Sequence, residues 1–298
     1  MERRTFQLIY LLFAGWVFAL GPYEILNFPM DARNLALHNS ANAYDGLLLS
    51  NNPASLSKLS RGKTYSYFYL PANIHFTGYQ NVYNSSSGVR ANKISFMSYG
   101  AIIDGETEDK SYAFDILLES GFKKEYKKIT SIGISGGYLL SSISGYQSHL
   151  IFSNIGIRSR LLRKRLGIGL SLENIGFLLK SYTDVKESIP ALFRTALYYE
   201  PRYIPLIING DIVTYFDEGS SFSFSGGIEL KPDNRLTLRL GNSSHRNGYL
   251  TGDFSSDVIA GFSGGVGFRF TNITLDVGFM NLGSIGFIIG FSLLKKVD

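Results

Sequence analysis

The sequence predicts an all-β fold: a transmembrane antiparallel β-barrel of about fourteen strands with a short, partly helical N-terminal plug. Three observations lead to this prediction. The chain of 298 residues begins with a short apolar segment of the secretory type. From about residue 63 onward, apolar and polar residues alternate with the period of two that is typical of β-strands. No later segment has the roughly 18 uncharged apolar residues of a membrane helix, so any spanning segments must be strands.

The first 21 residues predict a signal peptide that is absent from the mature protein. Arg3 and Arg4 make its start positive, residues 6–18 form an apolar stretch, and residues 19–21 have the small-x-small pattern of a cleavage site. The chain has Cys 0, Gly 32, Tyr 19 and Phe 22. For an exported chain of this size, this composition indicates a fold held by backbone ladders rather than by disulfide bonds.

The formal net charge of the chain is a mild +5. Basic residues cluster at 123–128 and 158–165, in both cases between strand-like segments. A nucleic-acid-binding patch is one interpretation of these clusters, but solvated turns are the more common one for an exported chain. We therefore expect no nucleic-acid partner.

The alternation is clearest near the C-terminus, where Ile273, Leu275, Val277 and Phe279 are separated by polar or small residues. A soluble β-sandwich alternates as well, but its strands are usually shorter. Here the segments have the length of tilted spanning strands, with no amphipathic helix between them. The predicted strands are 64–70, 74–82, 91–102, 110–119, 129–140, 147–158, 165–174, 191–199, 205–216, 221–230, 235–242, 259–269, 272–279 and 284–293.

The connections assign the two ends of the predicted barrel, which is expected to span residues 63–294 with a short polar tail at 295–298. Outer-membrane barrels have short periplasmic turns and longer outer loops. The short connections are 201–204, 231–234 and Thr271, and the long ones are 175–190 and 243–258. Two connections do not fit this rule: 71–73 is short for an outer loop, and 81–90 is long for a periplasmic turn.

Residues 22–62 differ from the rest and are predicted to form the plug. Segments 31–37 and 41–49 are compatible with helices, and their leucines supply more apolar surface than a disordered tail would carry. The plug motif is Asn52, Pro53 and Ala54: Asn52 can cap a short helix that begins at Pro53. The alternative is an ordinary helix in a loop outside the barrel.

No catalytic, cofactor or metal site is predicted, and the chain is expected not to be an enzyme. Segments 133–137 and 261–265 match the Gly-x-Ser-x-Gly pattern of a nucleophile elbow, but both lie in glycine-rich strands rather than between a strand and a helix. The four histidines are scattered without the spacing of metal ligands. A serine and a histidine brought together by the fold, as in a membrane phospholipase, stay an open alternative.

Charged residues on the polar faces of the strands are the candidate lumen-facing sites. An ionisable group inside a membrane domain is costly unless it is paired or hydrated, so each is either a pairing partner or a substrate contact. We favour pairing. These residues are Asp115, Glu173, Arg194, Asp211, Glu229, Arg239, Arg269 and Asp276.

Several short motifs together resemble the PorV/PorQ family, part of the wider group of FadL-like outer-membrane barrels. The order and spacing of the motifs carry this resemblance over nearly the whole mature chain. The element at 199–205, Tyr-x-Pro-x-Tyr-Ile-Pro, is closer to PorQ, whereas His38 and Asn39 replace the paired small residues usual in the family. The matching segments are 31–37, 43–46, 52–56, 173–176, 189–194, 199–205, 227–229 and 238–241.

The resemblance implies a fourteen-stranded barrel with an N-terminal plug in the outer membrane of a Gram-negative-type bacterium. It implies a non-enzymatic role in type IX protein secretion or cell-surface attachment, with outer-membrane lipid, secretion-pathway proteins or exported cargo as partners. The alternative is a FadL-like, porin-like channel for uptake or export of a hydrophobic small-molecule ligand. The cargo or ligand is not specified by the sequence.

Overall fold

Fourteen antiparallel strands form a closed barrel in which each strand pairs with its sequence neighbours and β1 pairs with β14. The computed structural model describes residues 23–44, 49, 51–57, 62–103, 110–126, 129–184, 187–216, 221–244 and 259–297. The predicted signal peptide lies outside the described residues, as does most of the connection at 243–258. The strands are β1 (Gly62–Leu70), β2 (Ile74–Ser85), β3 (Gly88–Ile103), β4 (Lys110–Tyr126), β5 (Thr130–Ile143), β6 (Tyr146–Leu161), β7 (Leu166–Lys180), β8 (Leu192–Tyr199), β9 (Leu206–Tyr215), β10 (Phe222–Leu230), β11 (Leu236–Ser243), β12 (Phe262–Arg269), β13 (Ile273–Asn281) and β14 (Phe287–Lys296).

The predicted fold class is confirmed, and each predicted strand has a counterpart. The connection between β2 and β3 is shorter than predicted, because Gly88 already pairs with Ser85. This removes one of the two exceptions to the rule of short periplasmic turns. The segment Gly283–Ile285 is a 3₁₀ turn rather than the start of β14, and β14 continues to Lys296. Lys295 and Lys296 therefore belong to the barrel and not to a tail.

The predicted outer loop at 175–190 is wrong at its beginning, because β7 continues to Lys180. Asn174 has a φ of 58°, and the pairing of β6 with β7 shifts register there. Before the bulge the outward side chains are at even-numbered positions such as Leu172. After it they are at odd-numbered positions, and Ile175 and Phe177 are 43% and 59% exposed. Because the bulge interrupts the alternation of apolar and polar residues, the predicted strand ends at the bulge. The strand itself continues beyond it.

The outer wall of the barrel is covered by apolar side chains. On β1 to β14, residues whose side chains are buried alternate with residues whose side chains are exposed. Many of the exposed ones are large and apolar, for example Ile155, Leu240 and Phe291. A soluble protein does not surround itself with such a belt. The closed barrel pairs its strand backbones internally, so the wall has the properties of a membrane-spanning barrel.

The described residues between Tyr23 and Ser57, which we call the N-terminal segment, pack against the inner faces of the strands. The helix α1 (Ala32–Ala36) is capped by Asp31, whose side chain accepts a hydrogen bond from the Asn34 amide, and it contacts β11 to β14. Residues 41–44 form a turn rather than the helix that the sequence favours for 41–49. No helix in the described part of the chain is long and apolar enough to span a membrane.

Candidate functional site in the barrel lumen

An ion network joins the N-terminal segment to the wall near α1. The Arg33 guanidinium donates two hydrogen bonds to Glu229 on β10, of 2.5 and 3.0 Å. Arg239 on β11 donates to the same carboxylate at 3.1 Å and to Asp276 on β13 at 2.6 Å. The three wall residues are almost completely buried, so two cations and two carboxylates neutralise each other out of contact with bulk water.

A second network lies on the neighbouring strands β7 to β9. Arg194 on β8 forms a bidentate pair with Glu173 on β7, with N–O distances of 2.9 and 3.1 Å. Its third nitrogen is 3.4 Å from Asp211 on β9. The Asn42 amide of the N-terminal segment donates to Asp211 at 2.7 Å. The segment is therefore bonded to the wall at two places, Arg33 and Asn42.

The plug motif forms a third attachment. Asn52 caps the 3₁₀ turn Pro53–Ser55 by accepting a hydrogen bond from the Ala54 amide at 3.0 Å, as the sequence predicts. The turn lies directly on β5, where a Cβ atom at Gly133 would overlap the backbone of Pro53 and Ala54. Ser131 donates to the Ala54 carbonyl at 2.9 Å, so the turn fits a shallow place in the wall that glycine provides.

A packed apolar cluster, which we call the apolar chamber, fills the end of the lumen that contains the connection at 71–73, beside these attachments. The N-terminal segment contributes Tyr23, Ile25, Leu26 and Met30 to it, with Phe28 packed against them. Phe28 forms ring contacts with the wall, at centroid distances of 5.4 and 4.9 Å. The wall contributes the buried side chains Phe68, Phe76, Met97, Leu117, Leu139, Leu150, Phe152, Met280 and Ile288.

Few polar groups border the chamber. The Asp115 carboxylate accepts a 2.7 Å hydrogen bond from the Tyr99 hydroxyl and a second bond from Ser141. The Tyr182 hydroxyl donates to Ser141, and Tyr182 stacks on Tyr23 at 6.2 Å. Burial raises the pKa of Tyr182 to about 12, so its hydroxyl stays neutral at physiological pH. Tyr99 lies in a bulge of β3, where the register shifts between Ser98 and Ala101.

Seven of the eight charged candidates point into the lumen and are buried. Six of them form the two ion networks, and Asp115 borders the chamber. Arg269 lies exposed at the end of β12 and has no ion pair within the described residues. Arg33 and Asn42 could not be predicted as partners, because residues of the N-terminal segment have no strand alternation to show which way they point. Both Gly-x-Ser-x-Gly matches lie in strand or at its edge, without the turn and helix of a nucleophile elbow.

The comparisons with known proteins concern the fold. The barrel is similar to the Pseudomonas putida toluene transporter TodX, with a TM-score of 0.60 and 14% identity over 94% of this chain and 100% of that one. It is also similar to the monoaromatic hydrocarbon channel CymD, with a TM-score of 0.53 and 12% identity over 95% and 98% of the two chains. No family model matches the chain, and no curated protein matches it. Identities this low show a shared fold, which is that of outer-membrane β-barrels.

Proposed function

We propose that the protein is an outer-membrane channel for hydrophobic small molecules, closed by its own N-terminal segment. The observation that carries this proposal is the apolar chamber, in which Tyr23, Ile25, Leu26 and Phe28 occupy space between aromatic and aliphatic wall residues. Ligand sites are mostly apolar with a few placed polar groups, and the chamber has this composition.

The N-terminal segment is held by polar bonds near α1 and Asn42. Within the chamber, apolar contacts hold residues 25–28, and the Tyr23 hydroxyl bonds to Ser148 and Glu187. A hydrophobic ligand can replace the apolar contacts of Tyr23 to Phe28 with equivalent ones, whereas a polar solute cannot. This difference gives selectivity, because a ligand opens a closed state only by binding the open state better. The known functions of TodX and CymD support the same class of substrate.

The type IX interpretation and the finer PorV/PorQ assignment stay a second proposal that rests on the sequence motifs. No described contact favours docking of a secreted protein, and the similar structures are those of channels. Deletion of the gene followed by measurement of the secreted proteome tests this role. A broad loss of secreted proteins would favour the secretion role over the channel.

Uptake of labelled toluene tests the proposed channel, in cells that lack other routes for it. Cells with the protein are expected to take up toluene faster than cells without it, and to take up a labelled disaccharide no faster. Leu139→Gln adds an unpaired amide to the chamber, which costs about 1–3 kcal/mol, so toluene uptake should fall about tenfold.

The matched control is Leu140→Gln, the same change at the next residue, whose side chain points away from the lumen. It should leave uptake near the level of the unmodified protein. Toluene uptake equal to that of cells without the protein would contradict the proposal, as would equal uptake of toluene and disaccharide.

A further inference from the structure

The lipid-facing wall of β2 to β6 contains a polar row. Asn81, Asn92, Ser120, Gly136 and Ser153 are paired with one another across five successive strands. All five positions point outward, and the Ser120 hydroxyl donates to the Asn92 side chain at 2.8 Å. Polar side chains on the lipid face of a barrel are unfavourable unless something satisfies them.

Two adjoining hollows of about 610 and 350 Å³ lie along this row and share Ser120 and Gly136. The larger hollow has apolar outward walls that include Ile94, Leu118 and Ile151. Gly136 forms part of its floor, because a Cβ atom there would meet only a backbone oxygen at 3.7 Å. The larger hollow thus has the size of a small-molecule site and the surface of an acyl-chain site.

Two cations lie at the end of the smaller hollow that faces the turn between β2 and β3. Arg90 lines this hollow, and its guanidinium lies over the Phe122 ring at 5.8 Å. Lys124 is exposed on β4, two residues beyond Phe122, which pairs with Arg90. This diagonal places the two residues roughly 7–8 Å apart. Within the described residues, no carboxylate pairs with either of them.

We propose that this surface binds one phospholipid of the leaflet next to the β2–β3 turn, which the proposed topology places at the periplasmic side. Arg90 and Lys124 bind the phosphate, Ser120 and Asn92 lie at the level of the ester groups, and one acyl chain lies in the larger hollow over Gly136. The order from basic through polar to apolar matches that of a phospholipid. Arg90 and Asn92 are two residues apart, or about 7 Å along the strand.

This proposal does not depend on the channel function. It is tested by native mass spectrometry of the full-length protein extracted in detergent and titrated with phosphatidylglycerol or with diacylglycerol of the same acyl chains. One phosphatidylglycerol should bind, and diacylglycerol, which lacks the phosphate, should bind about tenfold more weakly. Arg90→Gln with Lys124→Gln should remove this preference, whereas Gly136→Leu should weaken binding of both lipids.

Two matched variants serve as controls on the other side of the barrel. Gly226→Leu changes an outward glycine whose Cβ atom would have its nearest contact at 3.8 Å, and Arg269→Gln removes an exposed cation at the end of β12. Both should bind phosphatidylglycerol like the unmodified protein. Unchanged binding in Gly136→Leu and in the Arg90/Lys124 variant would overturn the proposal. So would a lipid-free dimer that Gly136→Leu dissociates, because the hollow would then be an interface between copies.

Discussion

Deletion of residues 23–57 should convert the closed barrel into an open pore. A fourteen-stranded barrel is too wide for its wall side chains to fill, and the described residues of this segment occupy its interior. In planar bilayers the deletion variant should show conductance steps about tenfold or more above the background of the unmodified protein. A heat-dependent shift in electrophoretic mobility checks that the variant barrel is folded.

A point variant tests the same idea if the deletion variant fails to fold. Gly278→Val places a side chain where the Ala32 carbonyl of α1 lies, so it should displace the segment and raise conductance. Gly210→Val is its control, because the nearest atom to the added Cβ would be 3.9 Å away on the outer wall. Equal low conductance in all variants, together with protease cleavage of the segment in the folded protein, would show that it is not a plug.

Arg239→Met should cause a large loss of stability. It leaves Asp276 without its partner and Glu229 with Arg33 alone, and both carboxylates are buried. Removing one partner of a buried ion pair costs about 3–5 kcal/mol. The midpoint of urea unfolding in detergent should therefore fall markedly, as measured by the heat-dependent mobility shift.

Two comparisons make this prediction specific. Adding Asp276→Asn to Arg239→Met should recover part of the loss, because the orphaned carboxylate becomes neutral. Arg235→Met, a change in the exposed β10–β11 turn, should be within about 0.5 kcal/mol of the unmodified protein. If Arg239→Met were as mild as Arg235→Met, the network would be hydrated rather than buried.

Strand number and facing could be predicted from the sequence because they depend on a local pattern. The alternation of Ile273, Leu275, Val277 and Phe279 requires two different environments on the two faces of β13, and a membrane wall supplies them. The prediction failed where a local irregularity broke the period, as at Asn174 in β7. A bulge adds one residue to a strand, and no residue type marks it uniquely.

The site was less predictable, because its contacts join residues that are distant in sequence. Glu229, Arg239 and Asp276 could be assigned to the lumen by their strand positions, but the fourth member of their network, Arg33, is 196 residues from Glu229. Gly133 and Gly278 are places where the N-terminal segment touches the wall, and no residue pattern distinguishes them from the other strand glycines. Period-two patterns carry no information about which segment packs inside.

Cysteine labelling measures whether a hydrophobic ligand and the N-terminal segment compete for the apolar chamber. The chain has Cys 0, so Ile25→Cys introduces a single thiol at a buried position of the segment within the apolar chamber. In proteoliposomes, a water-soluble maleimide should label this thiol slowly, and saturating toluene should accelerate labelling about tenfold while a disaccharide does not. Ser87→Cys, in the exposed β2–β3 turn, should label fast throughout. An Ile25→Cys labelling rate unchanged by toluene, in proteoliposomes that toluene crosses through the protein, would show that the ligand does not displace the segment.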